Sequence, residues 1–261
     1  MERERSLQPG SAPRLRTRKE VVGRSPTRDA YCHKNPSVSV VIPALNDAEP
    51  LAEILGEIAG ADGFEVVVAD GGSQDDTEGV CERHGAAFVS CQPHRARQMR
   101  RGAELARGGL IWFLHADSRV EPALLDALRQ AAGSVTWGRF DVRLSNPSAV
   151  FELIAWSMNQ RSCLTGICTG DQGIFVSRRL LEAVGGMPDQ PLMEDVELSK
   201  RLRRLKRPTR VRERLVASSR RWEREGVVRT TVLMWSIRLR YFLGASPEDL
   251  HASYYPGRPL E

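Results

Sequence analysis

Three apolar runs in this chain stop abruptly at polar side chains, and that pattern restricts the fold more than any other feature. Val66-Val67-Val68-Ala69 ends at Asp70, and Phe113-Leu114 leads through His115-Ala116 to Asp117. The run from Val38 to Pro43 is likewise followed by Asn46-Asp47. Strands that each deliver polar groups at their C-terminal ends describe an open α/β sheet with a ligand crevice above it. Carboxylates gathered there suit the hydroxyls of a nucleotide and a cation bound to its diphosphate.

Helical segments alternate with these strands. Leu51, Ile54, Leu55 and Ile58 follow the first strand at helical spacing, and Gly60 and Gly63 close that segment. Ser73 is expected to cap a helix with Asp75, Asp76 and Glu78 in its first turn. Residues 86–90 read as a short strand and 95–107 as a helix, before the buried strand Leu110–Leu114 and a helix marked by Leu124, Leu125 and Leu128. The alternation predicts a mostly parallel sheet with right-handed crossovers. Trp137 to Leu144 alternates like an antiparallel strand, and Val150 to Met158 is helical in pattern. The loop from Ser145 to Ile167 is expected to shape an acceptor pocket. A short strand at 173–177 and helices at 195–205 and 227–243 complete the reading.

Charge divides the chain unevenly. The first 35 residues hold nine Lys/Arg against four Asp/Glu, which accounts for the whole net charge of +5. Residues 1–36 read as a disordered basic leader, 37–255 as one domain, and 256–261 as a flexible tail. From Lys200 to Arg224, twelve basic side chains face two acidic ones, so this block needs an anionic partner or a solvated face. The five cysteines form no CxxC pair and read as free thiols in a reducing compartment. With no long uncharged apolar run, no membrane-spanning helix is expected, and the expected location is cytoplasmic.

Individual motifs admit plain readings beside functional ones. Asp70-Gly71-Gly72-Ser73 is either a tight capped turn or a place where a ligand approaches the backbone. Asp117 is a turn residue or a cation ligand. Glu194-Asp195, at the start of a helix, either cap it or supply a carboxylate kept anionic as a base. Arg220-Arg221-Trp222 offers guanidinium forks for phosphate and an aromatic face, or a solvated basic surface with a half-buried Trp. No GxGxxG follows the first strand, which argues against a dinucleotide-binding dehydrogenase.

Taken in order, Val41-Ile42-Pro43-Ala44-Leu45-Asn46, Val68 to Ser73, His115-Ala116-Asp117, Thr169-Gly170-Asp171-Gln172, Met193-Glu194-Asp195 and Arg220-Arg221-Trp222 resemble the family 2 glycosyltransferases of the GT-A fold. Leu164 to Gln172 and Tyr241 to Pro247 are similar, more narrowly, to the branch labelled radical-SAM/selenodomain-associated or arsenosugar-biosynthesis-like transferases. The resemblance implies a GT-A mostly parallel central sheet flanked by helices, with a C-terminal helical elaboration on the acceptor side. It implies a nucleotide-sugar donor, a UDP-sugar before others, a Mg2+ or Mn2+ ion, and inversion at the anomeric carbon. Pro43, Ala44, Asn46 and Asp70 would hold uracil and ribose, with Arg95, Arg97, Gln98 and Ala116 close to the donor. Asp117, last in the DXD motif, would ligate the metal, and Asp195 would be the base. Glu194 and Asp171 would orient hydroxyls, and Gln172, Arg220, Arg221 and Trp222 would serve the acceptor or leaving group. His115 replaces the first DXD Asp, and Ser218 replaces the Gln of QxxRW, which points to a single, non-processive transfer.

Two rivals are weighed. A nucleotidylyltransferase would need a basic, Gly-rich phosphate loop after the first strand, where Asn46-Asp47-Ala48-Glu49-Pro50 is acidic. A catalytically silent nucleotide-sugar binder or scaffold is kept open by His115. Arg229, Arg238 and Arg240 interleave with Val232, Leu233, Trp235, Ile237 and Phe242. That helix reads as packed on the domain with snorkelling arginines, with peripheral contact to anionic lipid as the alternative. The expected acceptor is a small molecule or a lipid-linked one, a homodimer is left open, and nucleic acid is not expected as a partner.

Overall fold

The computed structural model describes residues 37–134 and 136–255. The leader expected over 1–36 and the tail expected over 256–261 lie outside them. In chain order the strands are β1 Val38–Ala44, β2 Phe64–Asp70, β3 Ala87–Ser90, β4 Leu110–Phe113, β5 Trp137–Leu144, β6 Phe175–Ser177 and β7 Thr209–Ala217. The helices are α1 Ala48–Ile58, α2 Thr77–His84, α3 Arg95–Leu105, α4 Pro122–Ala131, α5 Ala149–Thr165, α6 Arg178–Ala183, α7 Glu194–Leu205, α8 Arg220–Glu225, α9 Val227–Phe242 and α10 Pro247–Tyr254.

The seven strands form one sheet in the order β3-β2-β1-β4-β6-β5-β7. All neighbours are parallel except β6, which runs antiparallel to β4 and β5. Strand parity divides the core. Val38, Val40 and Ile42 of β1, with Leu110 and Trp112 of β4, pack against α1 and α4. Val41, Ile111 and Phe113 face the other way, onto α3 and α7. Helices on both faces are why these strands are continuous apolar runs rather than alternating ones. Pro43 is tolerated because β4 has already peeled away: the pairing with β1 ends at Val41–Phe113.

Four expectations are corrected. Ser73 does not cap α2; that helix starts at Thr77 after Asp76, and Ser73 is drawn back to Asp70. The stretch 145–167 is mostly the 17-residue helix α5, not a loop. Strand β5 is buried along both faces apart from Arg143, and it pairs parallel with β7 as well as antiparallel with β6. The basic block contains an unanticipated strand, β7, whose arginines at 210, 212 and 214 line the sheet's edge. Charge along an edge strand discourages pairing with another chain.

Candidate active site

The C-terminal ends of β1, β2, β4 and β7 and the N-terminal end of β6 share one edge of the sheet, as their registers require. On the β1–β2 side, loops are tied to each other. Asp70 Oδ2 accepts from Gly72 N at 2.8 Å and Ser73 N at 3.0 Å. Asn46, held at φ 55°, donates its N–H to Ser73 Oγ at 2.7 Å and accepts from Gln74 N through Oδ1 at 2.7 Å. Asp70 is thus buried and committed to its turn.

A second group gathers around Arg95 at the start of α3. Its Nε lies 3.1 Å from Glu194 Oε1, and its Nη2 touches His115 Nε2. Solvent reaches 41% of the Arg95 side chain from the open cleft, while protein closes around its other sides. Burial alone would lower the Arg95 pKa, but Glu194, Asp195 and Asp171 outweigh it and hold the guanidinium above its ordinary value. His115 goes the other way: burial and then Arg95 lower its pKa, so its imidazole is neutral near pH 7. Its Nδ1 stands 3.7 Å from Asp171 Oδ1. Glu194 is 4% exposed; burial, reinforced by Asp195 and only partly offset by Arg95, raises its pKa to about 7. One guanidinium is shared among three carboxylates, and Glu194 is its nearest partner.

Asp195 sits in the first turn of α7. Its Oδ2 accepts from Gly170 N and its Oδ1 from Val196 N, each at 2.7 Å. Gly170 lets Arg95 and His115 approach: a Cβ there would lie 2.5 Å from Arg95 Nη2 and 2.6 Å from His115 Nε2 and displace them. Preceding α7, Met193 adopts φ 64°. Asn46 and Met193 are the two non-glycine residues with positive φ among those described, and both flank this cleft, where backbone strain commonly marks function.

The third group is Asp117 with Arg220, whose Nη2 donates to Oδ2 at 3.2 Å. Burial pushes the Asp117 pKa up, but His115 and Arg220 more than reverse it, so the carboxylate is ionised. Asp47 is raised, by burial first and by the neighbouring charge of Asp117. Asp47, Asp117, Asp171, Glu194 and Asp195 thus lie near the guanidiniums of Arg95, Arg220 and Arg161. Among the described residues, no three His, Cys, Asp or Glu side chains converge closely enough to hold a metal alone. One ionised carboxylate beside a neutral imidazole does suit a hard or borderline cation whose remaining ligands are phosphate and water.

Several expected site residues have other duties. Gln98 is buried and donates through Nε2 to Ala44 O and Ala69 O, both at 2.8 Å, tying β1 to β2 beneath the rim. Gln172 is fully buried and donates to Ser162 Oγ at 2.9 Å, anchoring its turn to α5. Trp222 is buried with Val142, Leu144 and Phe151, so it presents no stacking face. Arg221 stacks 3.7 Å over the Tyr254 ring and pairs with Glu225, and Arg97 turns to Asp189 at 2.9 Å. Ala116 is in the core, Ala44 is buried and Pro43 half-buried at the end of β1. Asn46, Arg95, Asp117, Asp171, Glu194, Asp195 and Arg220 are brought together. The roles of Gly170 and Met193 were not read from sequence; the positive φ of Met193 has no signal in residue type.

Residues 39–162 match the model of the glycosyl transferase family 2. An uncharacterized glycosyltransferase of Mycobacterium tuberculosis is 32% identical over 108 residues, which are 40% of this chain and 49% of that protein. The chain spans less than half the length of the first curated relatives it matches. Among solved structures, a mannosyltransferase of Pyrobaculum calidifontis in complex with GDP-Man and Mn2+ superposes with TM-score 0.58 at 20% identity, covering 85% of this chain and 69% of that one. Glucosyl-3-phosphoglycerate synthase of Mycobacterium tuberculosis, in complex with Mn2+, UDP and glucosyl-3-phosphoglycerate, gives TM-score 0.52 at 20% identity, covering 70% of this chain and 71% of that one. These structures share the fold, which is the expected GT-A architecture. Residues 39–162 are thus similar to the glycosyl transferase family 2, and the solved structures share the fold.

Proposed function

We propose that the protein moves a sugar from a nucleotide-sugar donor, a UDP-sugar before a GDP-sugar, to an acceptor hydroxyl in one inverting, non-processive transfer. The observation that carries this reading is the convergence of an Asp195 carboxylate, oriented by Gly170 N–H, with the Asp117–Arg220 and Arg95–His115 pairs on one rim. The donor's base and ribose lie over the tied loops at Asn46 and Gly72. Asp195 accepts the acceptor's proton as its oxygen attacks the anomeric carbon, and the nucleotide diphosphate leaves from the opposite face. Backbone N–H bonds from Gly170 and Val196 aim the Asp195 carboxylate. Arg220 and Arg95 neutralise charge growing on the diphosphate. Glu194 is a positioning residue that holds Arg95, and Asp171 orients a sugar or acceptor hydroxyl. A Mg2+ or Mn2+ held by Asp117, with His115 beside it, would act as a Lewis acid toward the diphosphate. The acceptor is a small molecule or a lipid-linked one, and the narrower branch resemblance over 164–172 and 241–247 is proposed with this reading.

The test is calorimetry of UDP and GDP with and without Mn2+, on wild type, Asp117→Ala and Asp195→Asn. Expected are metal-dependent nucleotide binding lost in the Asp117 variant and kept in the Asp195 variant, whose donor turnover falls about 100- to 10,000-fold. Binding of neither nucleotide would defeat the transferase assignment. Binding with no turnover, even donor hydrolysis, would favour the silent binder, which the contact of His115 with Arg95 supports.

A further inference from the structure

Helix α9 carries an apolar stripe left in solvent. Val228, Val232, Trp235, Leu239, Phe242 and Leu243 are all exposed, and at about 100° per residue they fill one arc of roughly 100°. The opposite arc is docked: Thr230 and Ile237 are buried, and Tyr241 donates to Glu197 Oε2 of α7 at 3.0 Å. Ile237 therefore packs as expected from sequence, whereas Val232, Trp235 and Phe242 do not. Arg229 and Arg240 border the stripe on one side and Arg238 on the other, and α9 contains no acidic residue.

Helix α5 extends the same character. It packs Phe151, Ala155 and Met158 into the third core cluster, against which its Ile154 and Val227 and Met234 of α9 also pack. It leaves Leu153, Trp156 and Leu164 exposed. Arg161, one turn before the end of α5, lies between the charge of Arg238 and those of Asp195 and Asp171; its Nη1 donates to Ile167 O at 3.3 Å, and its buried Nε and Nη2 have no protein partner. Exposed apolar surface of this extent marks an interaction site. Its chemistry selects the partner. A second copy of this chain would bring arginine borders against arginine borders, whereas anionic headgroups meet them with opposite charge, and Trp and Arg suit the boundary between headgroup and acyl chain.

We propose that α5 and α9 together dock on an anionic lipid bilayer, lying in its interface rather than crossing it. Among the described residues no helix is long and apolar enough to span a membrane. Tyr241 ties the opposite arc of α9 to α7, whose first turn holds Asp195, so a docked bilayer surface would lie across α9 from the candidate base, about one helix diameter away. That placement bears on the transferase reading; the docking does not rest on it.

Tryptophan emission isolates the face. Of the five tryptophans, Trp112, Trp137 and Trp222 are buried, while Trp156 is 60% and Trp235 66% exposed. Full-length protein mixed with vesicles of equal phosphatidylglycerol and phosphatidylcholine is expected to shift its emission to the blue and co-sediment, and to do neither with phosphatidylcholine alone. Arg229→Gln with Arg240→Gln should weaken partitioning about 25-fold, at about fivefold per arginine. Trp235→Ser with Leu239→Ser should abolish it with the thermal midpoint unchanged. No emission shift on anionic vesicles, or partitioning indifferent to both variant pairs, overturns the proposal. So does a lipid-free dimer that hides Trp235, since the face would then belong to a second copy. Nucleotide binding measured without vesicles is independent, so failure of the transferase reading would show there and leave the partitioning result standing.

Discussion

Glu194→Gln is the sharpest probe of the cleft's electrostatics, because the side chain keeps its shape and loses only its charge. In the folded protein the Glu194 pKa is raised from the ordinary 4.5 to about 7 by burial, with Asp195 adding to it and Arg95 only partly opposing. A carboxyl whose folded pKa lies above its unfolded one binds more protons when folded, so stability falls as pH rises through that interval. From 4.5 to about 7, at about 1.4 kcal/mol per pH unit, the full loss is about 3.5 kcal/mol, of which about 3 kcal/mol falls between pH 4.5 and pH 8. Wild type should thus lose about that much relative to Glu194→Gln between pH 4.5 and pH 8, nearly all of it by pH 7. Urea unfolding of both proteins across this range measures the difference, in which other titrating groups cancel. A flat difference curve, or one in which wild type gains as pH rises, would mean that Arg95 outweighs burial and that the account of the pair is wrong. In activity the sign reverses: Arg95 without its buried partner should swing away from His115, and donor turnover at pH 8 should fall although the fold is more stable.

Three further outcomes follow from distances in the same region. Gly170→Ala places a methyl 2.5 Å from Arg95 Nη2 and 2.6 Å from His115 Nε2, so turnover should drop at least tenfold while the urea midpoint barely moves, since flexible side-chain ends can give way; an unaffected rate would refute the close approach. Gln98→Leu removes the amide donated to Ala44 O, which keeps Gly71 N–H, and to Ala69 O, and should cost about 1–3 kcal/mol, read by urea unfolding. Trp222→Leu should lower stability by about 1–3 kcal/mol through lost core volume yet leave nucleotide affinity unchanged by calorimetry; weakened nucleotide binding in a folded variant would restore the stacking role that its burial denies.

Why some of this was legible and some was not comes down to how far away a residue's partner lies. The strands β1, β2 and β4 are readable because helices cover both faces, and a continuous apolar run is the local consequence. The polar residues that end them, Asp117 above all, are readable because a carboxylate just past such a run has reached the sheet's edge. Strand β7 escaped because its buried end is short, and its outer half carries arginine at 210, 212 and 214, which as composition reads as a charged surface. A period of two was present in that segment and is the signal that could have found it. Gln98 and Gln172 show the deeper limit. Each falls within a stretch that also supplies site residues, and an amide suits a ligand and a backbone carbonyl equally well. What decides is whether the fold leaves a buried group nearby that needs a partner. Gln98 closes two carbonyls on separate strands, and Gln172 reaches across to Ser162 on α5. Arg95 lies three residues before Gln98 on the same helix, yet it meets only part of its neighbours' demand. Glu194, His115 and Asp171 surround it, and 41% of its side chain is still open to the cleft. A polar side chain with unspent hydrogen-bonding capacity at an open rim is available to a ligand, whereas one whose donors are fully used inside the protein is part of the frame. That distinction belongs to the hydrogen-bond accounting of the folded chain, and residue type and spacing do not encode it.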